Sequence, residues 1–282
     1  MKLINLKKIY QDKEVLKDVS VEIQKGEIVG LVGKNGAGKT TLMKIICNNI
    51  ANYQGTVENN SNLGFLIENP KLYENKSGLY NLNYFSKIFG HTMDDQFIPT
   101  LINELELNEV INKKVKNYSL GMKQKLALLI ALINKPDILI LDEPTNGMDV
   151  ETSCKVLEFL KELVKEKKIS ILISSHKLED VENICSRVLF IDKGEIIKDS
   201  PIGKLTEEYF SITFSTLREA ERFVEVYKGK IKLITGNEIV VANITGTSEL
   251  LKLCNDNKIL LEDIKFVKND LRTAYLNGGE LA

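Results

Sequence analysis

The chain has 282 residues, 43% of them hydrophobic and 27% charged, and a formal net charge of −1. That is apolar material for one large domain or two of ordinary size, and the near-zero charge excludes a global field that would gather nucleic acid. The four cysteines (Cys47, Cys154, Cys185, Cys254) form no CxxC pair and the two histidines lie far apart, so reduced, mostly packed thiols are expected and a His-based metal site is not.

In chain order, residues 1–28 carry two β-type runs, LINLKKIY and VSVEI, separated by polar turns. IVGLVG at 28–33 is near-continuously apolar, as in a strand buried on both faces. A glycine-rich turn follows, then a helical pattern with Leu42, Ile45, Ile46 and Ile50 at 3–4 spacing. LGFLIENP at 63–70 is a short apolar run that ends on Glu68 and the turn formers Asn69 and Pro70. Residues 72–112 are helix-rich and bear tyrosines, and a helix at about 119–134 stops before Pro136. DILILDEP holds a second buried strand, 154–166 a helix, ISILISSH at 169–176 a third strand, and LEDVENIC a helix. VLFIDKGEIIKD has the pattern of a hairpin turning at Lys193-Gly194. Strands alternating with helices predict an α/β domain with a largely parallel core.

The pattern changes after about Leu205. FSITFS, LREAERFVEVYK, KIKLIT, EIVVANI, TSELLKLCNDN and IKFV follow as strand, helix, strand, strand, helix and strand, a ferredoxin-like order. A last short helix is expected over NDLRTAYLNGG. The longest apolar run, LALLIALI at 126–133, is too short to span a bilayer, and MKLINLKKIYQDK lacks the apolar core of a signal peptide. A soluble intracellular chain is the expectation.

The strongest chemical signal is Gly33-Lys34-Asn35-Gly36-Ala37-Gly38-Lys39-Thr40, which matches GxxxxGK[ST] between a strand and a helix. Glycines let successive N–H groups turn inward on phosphate oxygens, and the helix N-terminus adds its positive end. Lys39 supplies a point charge to the β- and γ-phosphates, Thr40 a hydroxyl for Mg2+, and Thr41 a further contact to the α-phosphate. Asp142 and Glu143 stand at the carboxyl end of the buried run Ile138–Leu141, where open α/β sheets bind ligands. Asp142 is a candidate for holding Mg2+ and Glu143 for polarising the attacking water. His176, at the end of ISILISS, is a candidate γ-phosphate sensor. Ser119 and Gly121 open a helix whose N-terminus is a possible second phosphate-facing surface.

These segments, in this order, resemble the ATP-binding subunits of ABC transporters over roughly residues 1–200. GKNGAGKT resembles the Walker A loop, ILILDEP the Walker B strand, Asn146-Gly147-Met148-Asp149 the D-loop, and SSH the switch histidine. Tyr10 falls where the family's adenine-stacking aromatic lies. The family's LSGGQ signature is altered by Tyr118, Leu120 and Met122, while Ser119 and Gly121 remain for the phosphate contacts. Glu68 stands where most of the family has a glutamine that links the nucleotide site to the membrane subunit. With NPKLY after it and YSLGMKQKL further on, it resembles the lantibiotic-immunity and bacitracin-export subfamily.

The resemblance implies an ABC-type P-loop NTPase domain over 1–204, with a mixed sheet core and a helical subdomain at about 72–134. A C-terminal α+β accessory domain would fill 205–282. It implies ATP and Mg2+ as ligands. The nucleotide would meet Tyr10, Gly33, Asn35, Gly36, Ala37, Gly38, Lys39, Thr40, Thr41, Glu68, Asp142 and Asp149, with Thr40, Glu68 and Asp142 on the metal. Lys39, Glu143 and His176 would carry catalysis, and Ser119 and Gly121 would come from a second subunit in a head-to-tail homodimer. The partner would be a separate membrane permease at the inner face of the cell membrane, with docking expected over 68–90 (Tyr73, Tyr80, Tyr84, Phe85). Export of peptide antibiotics is the expected function. The alternatives are export of other drugs or ions, a soluble ATPase acting on the ribosome or nucleic acid, and a regulatory module without turnover.

Overall fold

The first two hundred residues build a three-stranded sheet and a six-stranded sheet. The computed structural model describes residues 1–68, 71–90, 97–206, 208–242, 246–268 and 270–272. The chain divides into two units, Met1–Ile202 and Gly203–Ala282.

In the first unit, β1 (Lys2–Tyr10) pairs antiparallel with β2 (Lys13–Glu22) and with β4 (Gln54–Glu58). The six-stranded sheet has the order β5-β6-β7-β3-β8-β9, from β3 (Ile28–Val32), β5 (Leu63–Leu66), β6 (Ile138–Asp142), β7 (Ser170–Ser174), β8 (Arg187–Asp192) and β9 (Glu195–Pro201). All of its pairings are parallel except β8–β9, a hairpin whose turn residues Lys193 and Gly194 both have positive φ (46° and 86°). That geometry suits the right-handed twist of the two strands. Every residue of β3 and β7 is buried, which explains why both segments are apolar without alternation.

The helices of this unit are α1 (Lys39–Ile46), α2 (Gly78–Ile88), α3 (Phe97–Glu104), α4 (Leu120–Leu132), α5 (Val150–Lys167) and α6 (Leu178–Ile184). Helix α1 is shorter than its apolar spacing implies. Cys47 caps it, Asn48 turns to φ 57°, and Ile50 packs on the core from outside the helix. Helix α5 begins earlier than residue 154, because the Asp149 carboxylate accepts the Thr152 N–H and so starts a first turn, Val150–Ser153, that carries no buried apolar face. The Thr152 amide, followed by its hydroxyl, holds the Asp149 carboxyl below the usual carboxylate range. Helix α4 is buried on nearly all sides, from Gly121 to Leu132, as befits a run such as LALLIAL. Glu106, in the segment after α3, pairs with Lys125 of α4 (3.2 Å) and Lys155 of α5 (2.9 Å).

Helix α7 (Ile202–Leu205) begins on the last residue of the first unit, and the second unit then realises the ferredoxin-like order. Strands β10 (Glu208–Phe214), β11 (Lys230–Thr235), β12 (Glu238–Ala242) and β13 (Leu261–Lys268) form an antiparallel sheet in the order β11-β12-β10-β13. Helices α8 (Leu217–Val226) and α9 (Thr247–Asp256) bury Phe223, Leu250 and Cys254 against Phe210, Ile212, Phe214, Ile239 and Val241. The rings of Phe214 and Phe223 lie 5.0 Å apart; such a pair adds about 0.5–1.5 kcal/mol beyond its buried area. Most of the expected last helix falls outside the described residues.

Candidate functional site

Three loops leave the six-stranded sheet at one edge, because β3, β6 and β7 are parallel neighbours ending together. Ser174, the last residue of β7, lies opposite Asp142 on one side and Leu31 on the other. The residues after β3, β6 and β7 are those the sequence marks for chemistry, and parallel pairing is what gathers them.

The turn after β3 wraps the N-terminus of α1. Gly38 has φ 111°, and a Cβ there would lie 2.9 Å from the Val15 carbonyl oxygen, so only glycine meets both demands. The Ala37 N–H donates to the Lys34 carbonyl at 3.1 Å and the Ala37 carbonyl accepts the Gly194 N–H at 3.0 Å, which ties the turn to the β8–β9 hairpin. Lys39 is buried, and its Nζ donates to the carbonyls of Gly33 (2.6 Å) and Lys34 (3.2 Å). A cavity of about 240 Å³ opens here, lined by Val15, Asn35, Gly36, Gly38, Lys39, Thr40, Thr41, Asp142 and Glu143. Val15 belongs to β2, which starts at Lys13, ahead of the VSVEI run by which the sequence marks that strand.

Asp142 is held from two sides. Its Oδ2 accepts the Thr40 hydroxyl at 2.7 Å and its Oδ1 accepts the Ser174 hydroxyl at 2.5 Å. Glu143 follows in a left-handed conformation (φ 52°), and its N–H donates to the Ser174 hydroxyl (3.1 Å) and carbonyl (3.2 Å). The Glu143 Oε2 is hydrogen-bonded to His176 Nδ1. Thr40 and Asp142 present two hard oxygen donors side by side. Among the described residues, no group of three or more His, Cys, Asp or Glu could hold a metal by itself. That donor set fits Mg2+, which takes one or two protein oxygens and completes its shell with phosphate oxygens and water.

The other marked residues lie outside this cavity. Tyr10 ends β1 half exposed, with Lys8 Nζ 4.5 Å from its ring centroid. Glu68 has φ 61° and its Oε1 accepts from Lys44 Nζ of α1 at 2.5 Å, and it lines a different and larger cavity. That cavity, about 400 Å³, is bounded by β5, Phe85 and Phe89 of the α2 segment, and Ala127, Ile130 and Ala131 of α4. Beside it, Tyr73, Tyr80 and Tyr84 form an exposed cluster in which the Tyr73 and Tyr84 rings lie 4.8 Å apart. The hydrogen bond to Tyr84 raises the Tyr73 phenol above its ordinary pKa.

Ser119 caps α4 by accepting the Met122 N–H at 3.2 Å. Its neighbours pack on the segment before α5: a Cβ on Gly121 would lie 3.3 Å from Met148 Cγ. Gly147 has φ 75°, and a Cβ there would lie 2.1 Å from Leu120 Cδ2. Within one chain, Ser119, Gly121 and Asp149 do not line the phosphate cavity.

The family described as ABC transporter matches residues 16–146. The uncharacterized ABC transporter ATP-binding protein MJ1023 of Methanocaldococcus jannaschii is 38% identical over 199 residues, 70% of this chain and 76% of that protein. The lantibiotic transport ATP-binding protein SrtF of Streptococcus pyogenes is 37% identical over 222 residues, 75% of this chain and 96% of that protein. A solved ATP-binding subunit of an ABC transporter superimposes with a TM-score of 0.67 at 27% identity, covering 72% of this chain and 90% of that one.

Proposed function

The chain belongs to the ABC transporter family as an ATP-binding subunit with ATPase activity, and on that premise we propose that it drives export of peptide antibiotics through a separate membrane permease. The observation that carries the cargo class is the likeness to a lantibiotic transport subunit over 96% of that protein's length. Glu68 in the place of the usual glutamine agrees with it. Among the described residues no helix is long and apolar enough to cross a membrane, which agrees with a separate permease as the translocation path. We place the subunit at the inner face of the membrane, with the cavity between β5, α2 and α4 and the neighbouring tyrosines as its docking surface.

In this reading the chain's own groups divide the labour. The backbone of residues 33–38 and the Lys39 ammonium grip the phosphates, and Thr41 adds a contact near the α-phosphate. Tyr10 stacks on the base. Mg2+, when bound, neutralises charge on the β- and γ-phosphates. Thr40 and Asp142 would hold that ion, Glu143 takes the proton of the attacking water, and His176 holds the Glu143 carboxylate in place. Ser119 and Gly121 face the nucleotide of a second copy, with Asp149 shaping the segment between the two sites.

The test of cargo is direct. The chain is expressed with its co-purifying membrane subunit in a sensitive host, and growth inhibition by a lantibiotic and by bacitracin is measured. Tolerance to at least one is expected to rise several-fold. Unchanged tolerance beside intact ATP hydrolysis overturns the cargo class and leaves the ATPase assignment standing.

Glu68 gives a second test. Its carboxylate is 60% exposed and paired with Lys44, a type of ion pair that contributes about 0–1 kcal/mol and is easily exchanged. Glu68→Gln is expected to leave ATP affinity within about twofold, because Lys39 and the backbone loop carry that binding. A glutamine donates as well as accepts, so it no longer answers the Lys44 charge in the same way. Peptide tolerance of the assembled transporter, and the Mg2+ dependence of hydrolysis, are expected to shift. If both match wild type, Glu68 is only a solvated charge at the end of a strand.

A further inference from the structure

Ser174 has no exposed surface, and it sits on the middle strand of the three that end at the site. A hydroxyl has one proton to give and two lone pairs to accept with. Here the proton goes to Asp142 Oδ1 at 2.5 Å, and a lone pair accepts the Glu143 N–H at 3.1 Å. One buried oxygen therefore contacts two consecutive carboxylate residues in opposite senses. Building on the ATPase reading above, we infer that Ser174 is a positioning residue for hydrolysis, fixing the carboxylate plane of Asp142 and the direction in which Glu143 leaves the strand.

The geometry gives each bond a distinct effect. With Thr40 on Oδ2 at 2.7 Å and Ser174 on Oδ1, the Asp142 carboxylate is pinned from α1 and from β7 and cannot swing about its Cβ–Cγ bond. Glu143 adopts φ 52°, which a non-glycine residue holds only when its surroundings fix it. The N–H bonds to the Ser174 hydroxyl and carbonyl supply that constraint, and the Glu143 side chain then reaches His176. Ser174 itself does not line the phosphate cavity, so it acts through its two neighbours.

Ser170 provides the control. It lies at the other end of the same strand, is also buried, and its hydroxyl accepts the Gly26 N–H at 2.9 Å. Ser174→Ala, Ser174→Thr and Ser170→Ala are compared with wild type by steady-state phosphate release and by equilibrium ATP binding with and without Mg2+. Ser174→Ala is expected to lower turnover about 10- to 100-fold, the scale of a misplaced reacting group. Its KM is expected to stay within about threefold, its metal-free ATP affinity to be unchanged, and its gain in affinity from Mg2+ to shrink. Ser174→Thr restores the hydroxyl and is expected to recover turnover, while Ser170→Ala should turn over like wild type. Wild-type turnover and Mg2+ gain in Ser174→Ala, an equal fall in Ser170→Ala, or loss of metal-free ATP binding in Ser174→Ala each overturns the inference. If wild type shows no turnover, the ATPase reading falls, and the Mg2+-dependent binding still decides the role of Ser174.

Discussion

Lys39→Ala is expected to weaken ATP binding about 10- to 100-fold and to lower turnover about 100- to 1,000-fold. The ammonium is buried in the turn, where its proton donors reach the Gly33 and Lys34 carbonyls. Those neutral acceptors hold the charge at the mouth of the cavity until phosphate oxygens replace them, and a charge-assisted bond to phosphate is the stronger of the two. Alanine removes the charge and leaves the inward-facing N–H groups intact, so binding falls without vanishing. Turnover falls further, because charge on the transferring phosphoryl group is greatest on the way to the transition state. Arginine is no substitute, since its planar fork is wider than the compact ammonium the turn encloses. Equilibrium binding of ATP and single-turnover phosphate release measure the two effects separately. A Lys39→Ala protein that binds and hydrolyses like wild type removes the phosphate-loop assignment.

Glu143→Gln separates binding from chemistry. The amide keeps the size of the side chain but cannot take a proton, so turnover is expected to fall about 100- to 10,000-fold. ATP affinity is expected to hold, because Glu143 is one wall of the cavity and not its charge centre. Trapped ATP should then accumulate between two copies, and gel filtration with ATP at low Mg2+ should report a dimer. Ser119→Arg in the same background is expected to abolish that dimer while each chain still binds nucleotide, since Ser119 lies outside its own chain's phosphate cavity. A monomer with nucleotide bound, in the absence of Ser119→Arg, counts against a shared site.

The parts of the site carried by contiguous sequence were readable in advance. GKNGAGKT between an apolar strand and a helix, and two carboxylates closing ILILDE, state their chemistry locally, and the parallel strands β3, β6 and β7 bring them to one edge. Strand β4 left no such trace: QGTVE is mostly exposed and does not alternate. Its partner is β1, some fifty residues earlier, and that pairing is a backbone matter with no side-chain signature. Ile50 kept the helical spacing, yet the chain turned at Asn48, where a left-handed residue outweighed periodicity. Ser174 was hidden for another reason. It is one of three serines in ISILISS, with no local pattern to set it apart from Ser170 or Ser175, and its partners Asp142 and Glu143 lie 32 and 31 positions away in sequence. Glu68 was marked as a nucleotide-edge residue, and in the structure its carboxylate turns to Lys44. Long-range polar pairs of this kind are settled by which strands become neighbours, and local pattern does not encode that.

The contact between Gly147 and Leu120 has a practical consequence for anyone shuffling sequence among relatives. The empty space left by Gly147 is the mould into which the Leu120 side chain fits, since a Cβ there would stand 2.1 Å from Leu120 Cδ2. The two positions are 27 apart in the chain, so a crossover between them parts mould from casting. A chimera that brings in a foreign signature helix without its own turn before α5 pairs surfaces that were never fitted to one another. Libraries that diversify position 120 therefore need to carry position 147 along as a linked block.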